Sequence, residues 1–100
     1  MDVKSLTEID FNAEIVNGSW VVMFWASWCG PCIDISYLKE FASESGIQIA
    51  RVNVEENPEL AIQYSIAVVP TYIFFKQGQL SMKVCGLQTK ESLNHYWNII

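Results

Sequence analysis

The feature that most constrains the fold is a pair of cysteines placed between an apolar run and a helical pattern. Residues 28–32 read Trp-Cys-Gly-Pro-Cys. They follow the apolar run 20–26, which is typical of a central strand covered on both faces. A helix is predicted directly after them, over about 32–45. A bare Cys-x-x-Cys spacing is also compatible with zinc, but between a strand and a helix it indicates a redox-active pair.

Composition indicates one globular domain spanning residues 1–100. The chain has 100 residues, of which 51% are hydrophobic, and this is enough to bury a single core without staples. The formal net charge is -5. A negative surface argues against nucleic acid or an anionic membrane as a partner, because both attract positive charge. We expect a monomer.

Cysteine usage and the N-terminal segment favour a cytoplasmic location. The chain holds three cysteines, fewer than a disulfide-stapled secreted domain usually carries. Its first residues show neither an apolar core nor a cleavage signature of an export signal. The longest apolar run, 20–26, is too short to span a membrane. An export signal removed beforehand would leave no trace in this sequence.

Hydrophobic periodicity and turn residues predict the order strand, helix, strand, helix, strand, helix, strand, strand, helix. This order indicates an α/β fold, in which a central mixed sheet is flanked by helices on both faces. The predicted strands are 3–6, 20–26, 47–54, 71–75 and 80–85, and the predicted helices are 7–16, 32–45, 59–64 and 89–100, with Thr7 as the first N-cap.

The cysteine pair suits disulfide exchange, in which a thiolate is the nucleophile. If a helix begins here, Cys29 faces its unpaired N–H groups, and we expect the pKa of Cys29 to be lowered. Cys32 falls in the first turn and should be more buried. This predicts that Cys29 attacks and Cys32 resolves. Gly30 would permit a tight turn, and Pro31 is tolerated in a first helical turn. A Gly-Pro dipeptide favours a reductant over an oxidant.

Several motifs resemble the thioredoxin family. They are the Trp-Cys-Gly-Pro-Cys stretch after Phe-Trp-Ala at 24–26, the Val-Pro-Thr at 69–71 ahead of Phe-Phe-Lys-Gln-Gly at 74–78, and Gly86. The resemblance covers essentially the whole chain. It implies a thioredoxin fold and a reductase of protein disulfides with no metal and no bound cofactor. It further implies that a thioredoxin reductase recharges the protein with electrons from NADPH.

The resemblance also assigns supporting residues. Pro70 would follow a cis peptide bond and pack against the cysteines, exposing the backbone of Val69 to pair with an extended substrate strand. Trp28, Val69, Thr71 and Gly86 would form the substrate-binding surface around Cys29. At Gly86 the absence of a side chain would let the substrate backbone approach closely.

Four positions depart from the family pattern. Met23 stands where a buried Asp is usual, and that acid is thought to relay protons to the resolving cysteine. We therefore expect Cys32 to lose its proton to another acceptor and to resolve more slowly near neutral pH. Ile33 replaces a basic residue. Tyr37 replaces a proline that kinks the helix, so we expect a straighter helix. Arg51 stands where a Lys is usual. With Met23 in place of the acid, Arg51 lacks its expected partner, and we expect its side chain to point elsewhere.

The remaining reactive residues have structural interpretations. Cys85 is predicted to be a small buried hydrophobe at a strand end, with a regulatory or intermolecular thiol as the alternative. Zinc needs four ligands. Only Cys85 and His95 could join the pair, and they lie far apart in different elements, so we do not expect a zinc site. His95 should lie on the surface of the last helix, Trp25 and Trp97 in the core, and the acidic stretch 55–56 in a solvated loop.

Two other function classes stay open at the level of sequence. One is a disulfide oxidase or isomerase of an exported compartment, which a high reduction potential would favour. The other is a non-catalytic binding module, which disulfide reduction that depends on Cys29 would exclude.

Overall fold

The computed structural model describes residues 3–100. Residues 1 and 2 belong to the predicted 1–100 domain and to the segment expected to lack an export signal, and they lie outside the described range. The strands are β1 (Val3–Ser5), β2 (Ser19–Trp25), β3 (Gln48–Asn53), β4 (Thr71–Lys76) and β5 (Gln79–Cys85). The helices are α1 (Phe11–Ile15), α2 (Ser36–Ser45), α3 (Pro58–Gln63) and α4 (Lys90–Ile99), with a 3₁₀ turn at Gly30–Cys32.

Across residues 3–100 the strands form one mixed sheet in the order β1-β3-β2-β4-β5. β1, β3 and β2 run parallel. β4 is antiparallel to β2, and β5 is antiparallel to β4. The predicted α/β architecture and the predicted order of elements are therefore confirmed.

β2 lies at the centre of the sheet and is covered on both faces. Trp20, Val22 and Phe24 pack with residues of α1 and α3 on one face. Val21 and Met23 pack with residues of α2 and α4 on the other. All five side chains are almost completely excluded from solvent, and each contributes about 1.5–3 kcal/mol relative to exposure. This burial fixes the position of the strand from which the cysteine segment leaves.

The first helix is shorter than predicted, because a turn precedes it. Thr7 was expected to be the N-cap, but α1 begins at Phe11. The Asp10 carboxylate accepts a 2.7 Å hydrogen bond from the Thr7 N–H, and the Asp10 N–H donates to the Thr7 carbonyl at 3.2 Å. The Thr7 N–H bond to the Asp10 carboxylate is one half of a capping box, but the Asp10 N–H bonds the Thr7 backbone carbonyl and not its hydroxyl. These bonds close a separate turn, and the helix starts only after it.

The helix predicted over 32–45 is split in two. The 3₁₀ turn ends at Cys32, and α2 begins only at Ser36. The Asp34 carboxylate accepts a 3.0 Å hydrogen bond from the Ser36 N–H, and such a local bond competes with continuous helix. The expectation of a straighter helix is wrong, because the interruption comes just before Tyr37. The helix does end at Gly46, whose φ of 75° is the left-handed conformation of a C-cap.

The C-terminal half follows the predicted hairpin and helix. Gln77 and Gly78 have φ values of 52° and 81°, and two successive positive φ angles are typical of a two-residue hairpin turn. Thr89 caps α4, because its hydroxyl oxygen accepts a 3.1 Å hydrogen bond from the Ser92 N–H. Leu93 is fully buried against the sheet, and Trp97 packs at its border.

The prediction that Cys85 is buried is wrong, because its thiol is free and exposed. β5 is the edge strand of the sheet, and Ser81 and Lys83 of this strand are exposed as well. Val84 is the buried residue of β5. A strand end predicts burial only where a second layer covers both of its faces.

Candidate active site

The cysteine pair lies just beyond the C-terminal end of β2. The chain turns there, and the Cys29 N–H donates to the Ala26 carbonyl at 3.1 Å. The Cys32 N–H donates to the Cys29 carbonyl at 3.1 Å. Cys29 and Cys32 are joined by a disulfide, with Cα atoms 5.4 Å apart. Cys29 is 5% exposed and Cys32 is 0% exposed, which confirms that Cys32 is the more buried of the two.

The sheet topology brings Pro70 and Gly86 to the end of the sheet at which β2 terminates. Thr71 begins β4 opposite Phe24 near the end of β2, and it also pairs with Cys85 at the end of β5. The Val69–Pro70 bond is cis, as predicted. Next to Cys85, Gly86 donates its N–H to the Pro70 carbonyl at 2.8 Å.

Three of the predicted contact residues present accessible groups around the disulfide. Trp28 is 72% exposed. Val69 packs against the buried cluster of Ala26, Cys29 and Cys32, and its backbone N–H and C=O form no hydrogen bond with another residue in the 3–100 range. Gly86 has φ 89° and open space where a side chain would begin.

Thr71 does not lie on this surface. Its side chain is 0% exposed, and its hydroxyl donates a 2.7 Å hydrogen bond to the Val68 carbonyl. The structure therefore places Thr71 beneath the 68–70 loop as a support. The expectation that Thr71 itself touches substrate is corrected on this point.

Two local expectations about the motif are also corrected. Gly30 does not have a positive φ and has no neighbour that would meet a Cβ, so the turn does not require glycine. The helix dipole acts mainly within the first turn of a helix. Cys29 is the N-cap of the 3₁₀ turn Gly30–Cys32, but the longer helix α2 begins only at Ser36. The helical N-terminus at Cys29 is therefore a single short turn and not the start of the long helix that was expected. Pro31 does occupy the first turn of the 3₁₀ segment.

Glu55, which was predicted to be merely solvated, supports the cysteine turn. Its carboxylate accepts hydrogen bonds from the Ser27 N–H at 2.8 Å and the Ser27 hydroxyl at 2.6 Å. These bonds lower the pKa of Glu55 below its ordinary value. The signal for this contact was present in the sequence, because Glu55 follows β3 and the carboxyl ends of parallel strands meet at one edge.

Met23 belongs to a polar contact that sequence reasoning did not find. Its side chain is 0% exposed. The Tyr37 hydroxyl lies 3.6 Å from the Met23 sulfur and 2.7 Å from the Tyr72 hydroxyl. Burial raises the pKa of both tyrosines, so both stay neutral at physiological pH. Two neutral phenols therefore lie beside the position where the family usually carries an acid.

Arg51 is the strand partner of Met23 in the β2–β3 register. Its guanidinium lies 4.9 Å from the centre of the Trp25 ring, a cation–π distance. Trp25 in turn packs at the border of the cysteine cluster. Among residues 3–100, no group of three His, Cys, Asp or Glu side chains could hold a metal ion.

A disulfide just beyond the C-terminal end of the central strand, packed against a cis-proline loop, defines a thiol–disulfide oxidoreductase site. The thioredoxin family model matches residues 2–98 of the chain. Thioredoxins from Staphylococcus aureus strains Mu50, MW2 and N315 are each 42% identical over 96 residues. This match covers 93% of the chain and 92% of each relative.

The chain belongs to the thioredoxin family. It is a thiol–disulfide oxidoreductase that reduces protein disulfides.

The Ser27–Glu55 contact predicts a pH-dependent contribution to stability. Because folding lowers the pKa of Glu55, the contribution is present above the unfolded-state pKa, about 4.3. It is lost as the pH falls through the folded-state value. We expect Glu55→Gln to flatten the dependence of unfolding free energy on pH in this acidic range, as measured by urea denaturation.

Glu56→Gln is the matched control, because Glu56 is an adjacent exposed carboxylate whose side chain accepts no hydrogen bond from residues 3–100. Equal changes in the two variants would contradict the predicted role of the Ser27 contact.

Proposed function

We propose that Cys29 is the attacking nucleophile and Cys32 the resolving thiol. The Cys29 thiolate attacks a substrate disulfide, forms a mixed disulfide and releases one substrate thiol. The Cys32 thiolate then attacks the Cys29 sulfur, releases the second substrate thiol and leaves the Cys29–Cys32 disulfide. The observation that supports this order is burial, because Cys29 is 5% exposed and Cys32 is 0% exposed.

We propose that the substrate lies across Trp28, Val69 and Gly86. Trp28 offers a largely exposed ring beside Cys29. The backbone of Val69 is free of partners within residues 3–100, so it can pair with an extended segment of substrate. Gly86, with open space above its Cα, lets that segment approach. Pro70 and Thr71 support this surface from below.

We propose that the electrons come from NADPH through a thioredoxin reductase, which reduces the Cys29–Cys32 disulfide by the reverse exchange. Membership of the thioredoxin family supports a reductase partner and protein-disulfide substrates in general. No organic cofactor needs to bind, because both electrons are carried by the two cysteine sulfurs.

We also propose that residues 1–100 act as a single monomeric domain in the cytoplasm. Between residues 3 and 100 there is no helix long and apolar enough to cross a membrane. The formal charge of -5 does not favour nucleic acid or anionic lipid as a partner.

The proposed order of attack predicts different outcomes for the two cysteine variants. Cys29→Ser should lower the rate of insulin disulfide reduction to that of the donor dithiothreitol alone, because the attacking thiol of the pair is removed. In Cys32→Ser, Cys29 should still attack insulin, and the mixed disulfide that forms should accumulate and be visible by mass spectrometry. Cys85→Ser is the control and should retain activity. Activity that survives in Cys29→Ser would overturn the assignment and would favour a non-catalytic role for the pair.

The proposed electron source predicts coupled turnover. With NADPH, a bacterial thioredoxin reductase and insulin, we expect NADPH oxidation that depends on this protein. Activity with dithiothreitol but none with the reductase would contradict this source. A measured reduction potential well above the thioredoxin range would instead favour the oxidase or isomerase alternative.

Met23 predicts a pH profile without a nearby internal acid. We propose that Cys32 loses its proton to an acceptor other than a carboxylate at position 23, so that resolution is slow near neutral pH. Met23→Asp should add an ionisation to the pH–rate profile of insulin reduction, with faster turnover near neutral pH. Met23→Asn is the matched control, since the Asn side chain has nearly the same shape as Asp but does not ionise. Identical profiles for the two variants would contradict the proposal.

A further inference from the structure

A chain of polar contacts runs from the core to the loop that follows β5. The Gln88 N–H donates a long 3.4 Å hydrogen bond to the Tyr72 hydroxyl oxygen. The Tyr72 and Tyr37 hydroxyl oxygens are 2.7 Å apart, and the Tyr37 hydroxyl oxygen is 3.6 Å from the Met23 sulfur. The contacts connect β2, α2 and β4 with the segment between β5 and α4.

The burial of Tyr72 decides the direction of these hydrogen bonds. Tyr72 is 0% exposed, so its hydroxyl hydrogen needs an acceptor within the protein. Within the described range that acceptor is the Tyr37 oxygen. Tyr37 then donates to the Met23 sulfur, a weak acceptor. In this arrangement the Gln88 N–H and the Tyr72 and Tyr37 hydroxyls each donate one hydrogen bond. The Met23 sulfur is the last acceptor in the series.

Gln88 extends the chain to Gly86. Its side-chain N–H donates to the Gly86 carbonyl at 3.3 Å. Its side-chain oxygen accepts a 2.7 Å hydrogen bond from the Ser92 hydroxyl in the first turn of α4. Gln88 is therefore bound at its backbone by β4 and at both ends of its amide group. Apart from these bonds, Gly86 is tied to the site by its N–H bond to Pro70.

We propose that Tyr37, Tyr72 and Gln88 are positioning residues that hold Gly86 in place for protein substrates. The proposal rests on the substrate-binding role proposed above for Gly86. A protein substrate that contacts both Val69 and Gly86 requires the loop between β5 and α4 to keep a fixed position relative to Val69. A small disulfide that reaches only Cys29 does not. The three residues act through Gly86 and do not touch the reacting sulfur atoms.

The test is the Tyr72→Phe variant, which keeps the aromatic ring and removes the hydroxyl. We expect KM for insulin to rise about two- to tenfold, the change that corresponds to loss of the one hydrogen bond by which Tyr72 holds Gln88. The kcat for insulin and the rate with the small aromatic disulfide DTNB should stay as in the original protein. Hydrogen exchange of the Gln88 amide, followed by NMR, should become faster.

Two further variants keep the test decisive. Tyr37→Phe leaves the Tyr72 hydroxyl without its acceptor and should raise KM for insulin in the same direction. Tyr96→Phe is the matched control, since Tyr96 packs at the border of the same core and its hydroxyl forms no hydrogen bond within residues 3–100. It should leave KM unchanged.

The outcomes separate this proposal from the proposed function. Equal losses toward insulin and DTNB in Tyr72→Phe would overturn the positioning role, and so would an unchanged KM with unchanged Gln88 exchange. Failure of the unsubstituted protein to reduce insulin would instead contradict the proposed function. Thermal unfolding of each variant, followed by circular dichroism, shows whether it is folded under the assay conditions.

Discussion

The structure depends on the burial of β2 between β3 and β4, with two helices over each of its faces. Residues 20–24 of this strand are almost completely excluded from solvent, so its C-terminal end cannot move without disrupting both halves of the core. The cysteine turn leaves from that end. Because β4 is antiparallel to β2, its first residues reach the same edge, and the cis-proline loop meets the disulfide there. The site is thus built on a strand whose side chains are buried on both faces of the sheet.

Most of the fold could be predicted from local pattern. The continuous apolar run, the 3.6-residue periods and the turn at 77–78 each identify an element whose type does not depend on distant contacts. The interruption at 33–35 could not be predicted in this way, since it reflects a side-chain bond from Asp34 to Ser36 that competes with helix of the same composition. The exposure of Cys85 depends on which strand forms the edge, and a single sequence states strand order only weakly.

The active site shows the same division. Cys29, Cys32, Trp28, Val69, Pro70 and Gly86 come from motifs, and the structure brings them together at one edge of the sheet. Four other residues belong to no sequence motif, and their roles come from contacts between elements that are distant in sequence. They are Glu55, Tyr37, Tyr72 and Gln88. Met23 and Tyr37 appeared in the sequence as two separate departures from the family. In the structure they touch, so they are one change in the packing between α2 and the sheet.

The geometry of β5 bears on how the protein meets other chains. An edge strand offers unpaired backbone groups that can template aggregation. Here the strand pairing shifts register between Phe74 and Phe75, which interrupts the regular ladder. Lys83 adds a positive charge to the strand, and its ammonium group also binds the carbonyls of Tyr64 and Ser65. Joining a foreign strand here would bring that strand against a charged side chain. The β5 edge is therefore protected against pairing with a foreign strand by a break in its ladder and by a charged side chain.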